Sequence, residues 1–172
     1  FEISQEKSAM KVNSDGVLLG AYIDVKEKDL KILDVGAGTG VIALIMAQKL
    51  SKISAIGEIV AIDIEPGSIT DCNKNFHNSQ FKDYLSSQLI SLQQYSKIES
   101  NHELFDLIIS NPPYFSDSLK SSKETKNLAR HNHSLSLEDI VVSSNQLLKK
   151  NHGRLALILP YNQSIKLQSI VK

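Results

Sequence analysis

The stretch that most restricts what this chain can fold into runs from Leu30 to Ala47. Leu30-Lys31-Ile32-Leu33-Asp34-Val35 reads as a short buried strand, Gly36-Ala37-Gly38-Thr39-Gly40 as a turn, and Val41-Ile42-Ala43-Leu44-Ile45-Met46-Ala47 as an apolar helix. Glycines in such a turn permit positive φ and let backbone N–H groups and the helix N-terminus come close to a ligand. The spacing is G-x-G-x-G. The dinucleotide fingerprint G-x-G-x-x-G would need glycine or alanine at position 41, where Val41 stands, which argues against a nicotinamide cofactor. Three glycines behind Asp34 could be an ordinary tight turn. That reading weakens because Glu58-Ile59-Val60-Ala61-Ile62-Asp63 supplies a second strand ending in a carboxylate, placed to accept from vicinal ribose hydroxyls, with Glu65 as a nearby second candidate.

The same alternation continues. Glu65 and Pro66 read as a turn leading into a helix that reaches about Phe76, Ser87 to Leu92 reads as a third strand, and Leu104 to Ser110 as a fourth. Ser136 caps a helix through Leu147 and Leu148, with Asp139 three residues later, and Gly153 to Leu159 is the fifth strand. Upstream, Ser14 or Asp15 is the expected N-cap of a helix through Leu18 and Leu19. Strands alternating with helices predict an α/β fold, a Rossmann-like doubly wound and mainly parallel sheet, with ligands at the carboxyl ends of the strands near the order switch. Gly36 to Gly40, Asp63 and Asn111 all fall at such ends.

Directly behind the fourth strand stands Asn111-Pro112-Pro113-Tyr114. Each proline fixes its own φ and pushes the residue before it out of the helical region, so Asn111 and Pro112 are held extended. The Asn111 side-chain oxygen and the Pro112 carbonyl then offer two acceptors in fixed geometry, which suits an NH2 group with two hydrogens to donate. Tyr114 adds a flat face, and stacking a base on an aromatic ring is worth roughly 1 to 3 kcal/mol. Taken alone, two adjacent prolines more commonly mean a turn that ends a strand.

Together these segments resemble the class I S-adenosylmethionine-dependent methyltransferases. Asp34 to Gly40 is similar to their first motif, Asp63 to their ribose-binding acid, and Asn111-Pro112-Pro113-Tyr114 to their amine-methylating signature. Within that class, the run from Ala9 to Tyr22 and the tripeptide Ala129-Arg130-His131 resemble the bacterial tRNA1(Val) (adenine-N6)-methyltransferases, over nearly the whole chain and in the expected order. The resemblance implies S-adenosylmethionine as cofactor and tRNA as partner. It places Lys11, Asp15, Asp34, Gly36, Gly38, Gly40, Asp63, Gln93 and Asn111 around the cofactor, with Lys11 and Asp15 at its methionine end. Asn111, Pro112 and Tyr114 carry the chemistry, and Tyr114, Phe115, Arg130 and His131 meet the substrate. Many relatives have an acid near the cofactor adenine after the third strand, where this chain has Ser91-Leu92-Gln93; the Gln93 amide oxygen can accept from the adenine amino group instead.

Composition sets bounds on this reading. At 172 residues and 41% apolar content, one domain with a substantial core is expected, residues 1–29 forming a segment over the cofactor site and 30–172 the core. The methyltransferase sheet normally finishes with a further helix and a two-stranded hairpin, so a C-terminal portion beyond Lys172 is expected, and Phe1 in place of Met suggests an engineered or partly disordered start. Cys72 is the single cysteine, which suits a reducing compartment and a cytoplasmic location. No run of 18 apolar residues and no basic-plus-apolar leader is present, so no membrane span or secretory signal is expected. His131 and His133 stand two apart, with His77, His102 and His152 scattered, so no zinc spacing is present and no metal is expected; G-x-S-x-G is also absent. The 19 basic and 19 acidic residues balance, which is unusual for a dedicated nucleic-acid binder. Locally, Lys120, Lys123, Lys126 and Arg130 stand against Glu124 alone between Leu119 and His133, a basic loop able to contact phosphates or simply to face water.

Three other readings stay open on sequence grounds. A protein glutamine side chain, such as that of a release factor, also presents a planar NH2 and is methylated by similar enzymes with Asn-Pro-Pro-Tyr. A cofactor-binding scaffold without catalysis is a second, and DNA adenine methylation a third, disfavoured because so short a chain has no separate target-recognition region.

Overall fold

A computed structural model of the protein describes residues 2–53, 57–113 and 135–171. Five strands form one sheet: β1 (Lys31–Val35), β2 (Glu58–Asp63), β3 (Leu85–Leu89), β4 (Leu107–Ser110) and β5 (Arg154–Leu157). Every neighbouring pair is parallel and the order across the sheet is β3-β2-β1-β4-β5. The connections that follow β1 and β4, its two central strands, depart toward opposite edges, which opens the crevice where doubly wound sheets bind ligands. Helices α1 (Ser14–Tyr22), α2 (Val41–Lys52), α3 (Pro66–His77), the short α4 (Leu92–Tyr95), α5 (Leu137–Leu147) and α6 (Tyr161–Ile170) flank it.

The strands are buried because both faces of the sheet are covered, and the two-residue period of side chains divides the core in two. Ile32, Ile59, Ala61, Leu107 and Ile109 pack with Leu44, Met46 and Phe76 of α2 and α3. Leu33, Val35, Val60, Ile62 and Ile108 point the other way, against Leu92, Tyr95, Leu137 and Ile140. Helix α2 is apolar nearly all round because α1 covers its outer side; a side chain on Gly20 would stand 2.9 Å from Ile45 Cδ1. Each fully buried Leu or Met here contributes about 1.5–3 kcal/mol over leaving it exposed.

Several boundaries differ from those read off the sequence, each for a physical reason. The third strand is Leu85–Leu89 rather than 87–92. As an edge strand with one partner it carries polar Ser86, Ser87 and Gln88, while Leu92, only 3% exposed, belongs to α4 behind a Ser91–Gln94 capping box. The N-cap of α1 is Asn13, whose side chain accepts from the Gly16 N–H; Ser14 and Asp15 lie inside the first turn. Leu104 and Phe105 precede β4, Phe105 making an isolated bridge to Leu148. Helix α6 follows β5 and has no counterpart among the elements read from the sequence.

At the amino ends of the strands, a buried carboxylate ties the sheet together. Asp106 accepts from the Leu30 and Lys31 N–H groups at 3.1 and 3.0 Å, from Lys149 Nζ at 2.8 Å and from His152 Nε2 at 2.9 Å. Burial pushes its pKa up, but the hydrogen bonds from Lys149, the Lys31 backbone and His152 outweigh that and hold it below the usual value.

Gly40, the N-cap of α2, has φ of 77° and ψ of 14°. A Cβ there would sit 2.6 Å from Phe76 Cε1 and 2.7 Å from Cys72 Sγ. Gly40→Ala combines a left-handed residue with overpacking and is expected to cost about 2–4 kcal/mol. Urea denaturation measures this, and a loss under about 1 kcal/mol would mean that α2 and α3 yield at that contact.

Candidate active site

The parallel register brings the strand ends level: Val35 pairs with Ile62 on one side and Ser110 on the other, and Asp63 with Leu89. Whatever follows each strand therefore meets along one edge of the sheet. Read across from β4 to β3, that edge carries Asn111, the glycine turn, Asp63 and the Ser91–Gln93 segment. Three inter-strand spacings make about 14 Å, room for an elongated ligand laid across the strand ends. A cavity of about 860 Å³ occupies this edge. Lys11, Gly36, Gly38, Asp63, Gln93 and Asn111 all line it, so one site gathers six of the residues singled out in the sequence.

Its floor is the glycine turn. Gly36 and Ala37 N–H both donate to the Ile62 carbonyl, at 2.9 and 3.1 Å, which docks the turn onto β2. Gly36 and Gly38 have φ of 69° and 56°, and a Cβ on either would meet nothing within 4 Å. Glycine at these two positions thus serves the backbone conformation and leaves the space beside it open to a ligand. Gly38 N–H donates to Asp63 Oδ2 and Glu65 N–H to Asp63 Oδ1, both at 2.9 Å. With the carboxylate aimed in this way, each of its oxygens keeps a lone pair for a vicinal diol. Glu65 is committed elsewhere: its side chain caps α3 by accepting from Gly67 and Ser68 N–H, and the Ser68 bonds chiefly depress its pKa.

The walls come from distant segments. On one side, residues 9–13 line the cavity as the end of a strap that precedes α1. Asp71 of α3 anchors that strap by accepting from Lys7 N–H at 2.8 Å, from Ser8 N–H at 2.7 Å and from Ser8 Oγ at 2.8 Å. Asn75 exchanges two bonds with the Ser4 backbone and also donates to the Thr39 carbonyl of the glycine turn. Lys11 Nζ turns back to the Gln5 carbonyl and so closes the strap on itself. On the other side, Gln93 Nε2 donates to Asp139 Oδ2 at 3.2 Å, leaving its amide oxygen as the acceptor. Asn111 Nδ2 donates to Asn13 Oδ1 at 3.3 Å, which likewise leaves the Asn111 oxygen as the acceptor.

Not every expected residue reaches the cavity. Asp15 lies in the first turn of α1, Asp34 lies beneath the glycine turn and Gly40 ends it, none of them among the lining residues; Gly40 serves the packing of α2 on α3. Pro112 is buried behind Asn111 and Pro113, which do line it. Tyr114, Phe115, Arg130 and His131 lie outside the described residues, as does the basic loop between Leu119 and His133. Asn13, Thr39, Asp71 and Asn75 escaped sequence reasoning. An Asn ahead of Ser-Asp-Gly is an N-cap signal that could have found the first, whereas nothing local marks the other three. The arrangement fits S-adenosylmethionine: an open-backed glycine turn, an acid with a preset orientation for ribose, an amide acceptor at the far end, and a volume suited to a nucleoside bearing a short chain. Among the described residues no group of His, Cys, Asp and Glu could hold a metal ion, and no helix is long and apolar enough to cross a membrane.

Asp34 sits fully buried under the turn. Its Oδ2 accepts from Ala43 N–H at 3.1 Å, and its Oδ1 has no hydrogen-bond partner among the described residues. Burial pushes its pKa up to about 7, against the lowering effect of the Ala43 N–H and with a smaller push from the Asp63 charge. The native state thus keeps a proton that the unfolded chain loses near 3.8, so this residue costs stability progressively as pH rises from there to about 7. The stability advantage of Asp34→Asn over the wild type is expected to grow across that window and level off above it. Urea titrations at several pH values read it, and a difference constant with pH would contradict the raised pKa.

The family described as a methyltransferase domain matches residues 26–165. A tRNA1(Val) (adenine(37)-N6)-methyltransferase of Parabacteroides distasonis is 42% identical over 172 residues, covering 100% of this chain and 69% of that protein. The enzyme of the same name from Trichodesmium erythraeum is 39% identical over 168 residues, covering 98% and 68%. Among solved structures, an S-adenosylmethionine-dependent O-methyltransferase of Thermotoga maritima superposes with a TM-score of 0.64 at 16% identity, over 96% of this chain and 51% of that one, a likeness of fold alone. With its glycine turn, aimed acid and Asn111 at one cavity, the chain belongs to the tRNA1(Val) (adenine(37)-N6)-methyltransferase family.

Proposed function

We propose that this protein methylates the exocyclic N6 of adenine 37 in tRNA1(Val), with S-adenosylmethionine as methyl donor. The observation that carries the reading is the place of Asn111, whose amide oxygen is left to accept at the cavity that also holds the glycine turn and Asp63. Names of relatives at 36–42% identity support the substrate. The cytoplasm, where tRNA is modified, is the proposed location.

The cofactor supplies an electrophilic methyl group on a sulfonium. Gly36 and Gly38 give it backbone room, Asp63 accepts from its ribose, and Gln93 accepts from its adenine. Within the N-terminal segment of residues 1–29, the end of the strap with Lys11 covers its methionine end, and Asp15 stands behind it in the first turn of α1. On the substrate side, adenine N6 is a poor nucleophile because its lone pair is delocalised into the ring. The Asn111 oxygen and the Pro112 carbonyl accept one amine hydrogen each, which favours pyramidalisation and turns the lone pair toward the methyl carbon. Preorganised acceptors and alignment supply the rate; effective molarities in well-oriented systems reach the order of 10⁵ M. The amine sheds its proton after transfer, so no general base is needed beforehand. In this reading Tyr114 stacks on the base, Phe115 adds apolar surface, and Arg130 and His131 meet the tRNA backbone. An unpaired loop adenine also spares the few kcal/mol that extruding a paired base costs.

Asp63→Ala is expected to weaken cofactor binding about 10- to 100-fold, as loss of hydrogen bonds to a charged group does, with the change read by calorimetry. In Asn111→Ala, kcat on a tRNA1(Val) transcript should fall by about 10² or more while the cofactor Kd moves far less. Mass analysis of tRNA and of release factors after incubation with labelled cofactor separates the adenine amine from the glutamine amide as substrate. Label on protein alone would overturn the tRNA assignment.

A further inference from the structure

The N-cap of α1 and the residue behind β4 stand 98 positions apart in sequence and share one oxygen atom. Asn13 Oδ1 accepts from the Gly16 N–H at 2.9 Å and from Asn111 Nδ2 at 3.3 Å, while Asn13 Nδ2 donates to Met10 Sδ at 3.4 Å. A backbone N–H can only donate, so the Asn13 atom facing Gly16 must be its oxygen. With that oxygen in place, the Asn111 atom facing it must be the NH2. The Asn111 oxygen is then turned the opposite way.

This matters because an asparagine amide has two orientations of nearly identical shape and opposite polarity. One presents an acceptor to an incoming group and the other a donor. Pro112 holds the Asn111 backbone extended, yet no backbone restraint chooses between the two orientations of its terminal amide. We propose that Asn13 is a positioning residue that sets the polarity of Asn111, so that the site accepts a substrate presenting NH2 and opposes one presenting an oxygen. The relay is Gly16 N–H donating to the Asn13 oxygen, the Asn111 NH2 donating to the same oxygen, and the substrate amine donating to the Asn111 oxygen. A Cβ on Gly16 would stand 3.5 Å from Asn13 Oδ1 and 3.6 Å from Asn111 Nδ2, so the first turn of α1 closes directly on this junction. Folding of that turn and the chemical polarity of the site are therefore one event. The inference rests on the role given to Asn111 above and adds what orients it.

The test compares Asn13→Ser with Asn13→Asp. Serine remains a good N-cap, so α1 and the Tm should hold, but its shorter hydroxyl does not reach Asn111. Aspartate keeps an oxygen at both positions. With a tRNA1(Val) transcript, Asn13→Ser is expected to lower kcat about tenfold at little changed cofactor Kd, and Asn13→Asp to restore it to within about threefold of wild type. Side-chain ¹⁵N NMR gives a readout independent of turnover. The Asn111 NH2 should show one hydrogen shifted and protected from exchange in the wild type and in Asn13→Asp, and lose that signature in Asn13→Ser. Wild-type kcat in Asn13→Ser, a collapsed Asn13→Asp, or an unprotected Asn111 NH2 in the wild type each overturns the inference. An Asn111→Ala variant that still turns over would instead overturn the role of Asn111 itself, which keeps the two failures apart.

Discussion

The parallel pairing of β1 with β2 on one side and β4 on the other is the constraint on which the remaining structure depends. Because Val35 faces both Ile62 and Ser110 in register, residues far apart in the chain emerge at one height and cannot avoid each other. A one-residue slip of β4 would reverse its two faces, sending Ile108 and Ile109 to the wrong halves of the core. Both cores would have to be rebuilt to accommodate it, so the juxtaposition of Asn111 with the glycine turn is held by many buried side chains at once.

The two ends of the sheet use charge in opposite ways. At the amino ends, Asp106 is buried but surrounded by donors, and Asp29 is bound to Arg154, so the carboxylates there act as fasteners. At the carboxyl ends, Asp63 is aimed yet not saturated, and Asp34 keeps an oxygen without a partner. Unsatisfied buried polar atoms are costly and therefore uncommon outside functional sites. Asp29 Oδ1 and Arg154 Nε at the opposite end also lack hydrogen-bond partners among the described residues, so it is the unsaturated Asp63 beside the open-backed glycines that marks the end of the molecule where a ligand belongs.

Much of this was legible in the sequence. Periodicity placed β1, β2, α2 and α5 because their residues are buried on account of local pattern alone, and the glycines and Asp63 followed from strand ends. Reading failed where an element is half solvated or where its partner is distant. The edge strand β3 is polar, so the pattern draws its bounds too far along the chain, toward apolar residues that pack from a helical turn instead. Glu65 looked like a spare ribose ligand because a carboxylate near a strand end is ambiguous until the helix it caps is seen. Asp71 and Asn75 carry no local signature, since their work is done through contacts across 36 to 71 positions of chain, and the N-cap signal at Asn13 says nothing of its contact with Asn111, 98 positions away.

Asn75 joins two parts of the site that lie far apart in the chain. Its single side chain clasps the Ser4 backbone in both directions and the Thr39 carbonyl as well, so the strap and the glycine turn hang from one amide. Fraying of the strap around Ser4 would therefore not remain a local event: the same loosening would reach the glycine floor of the cavity, making the order of the strap and the shape of the cavity a single cooperative property.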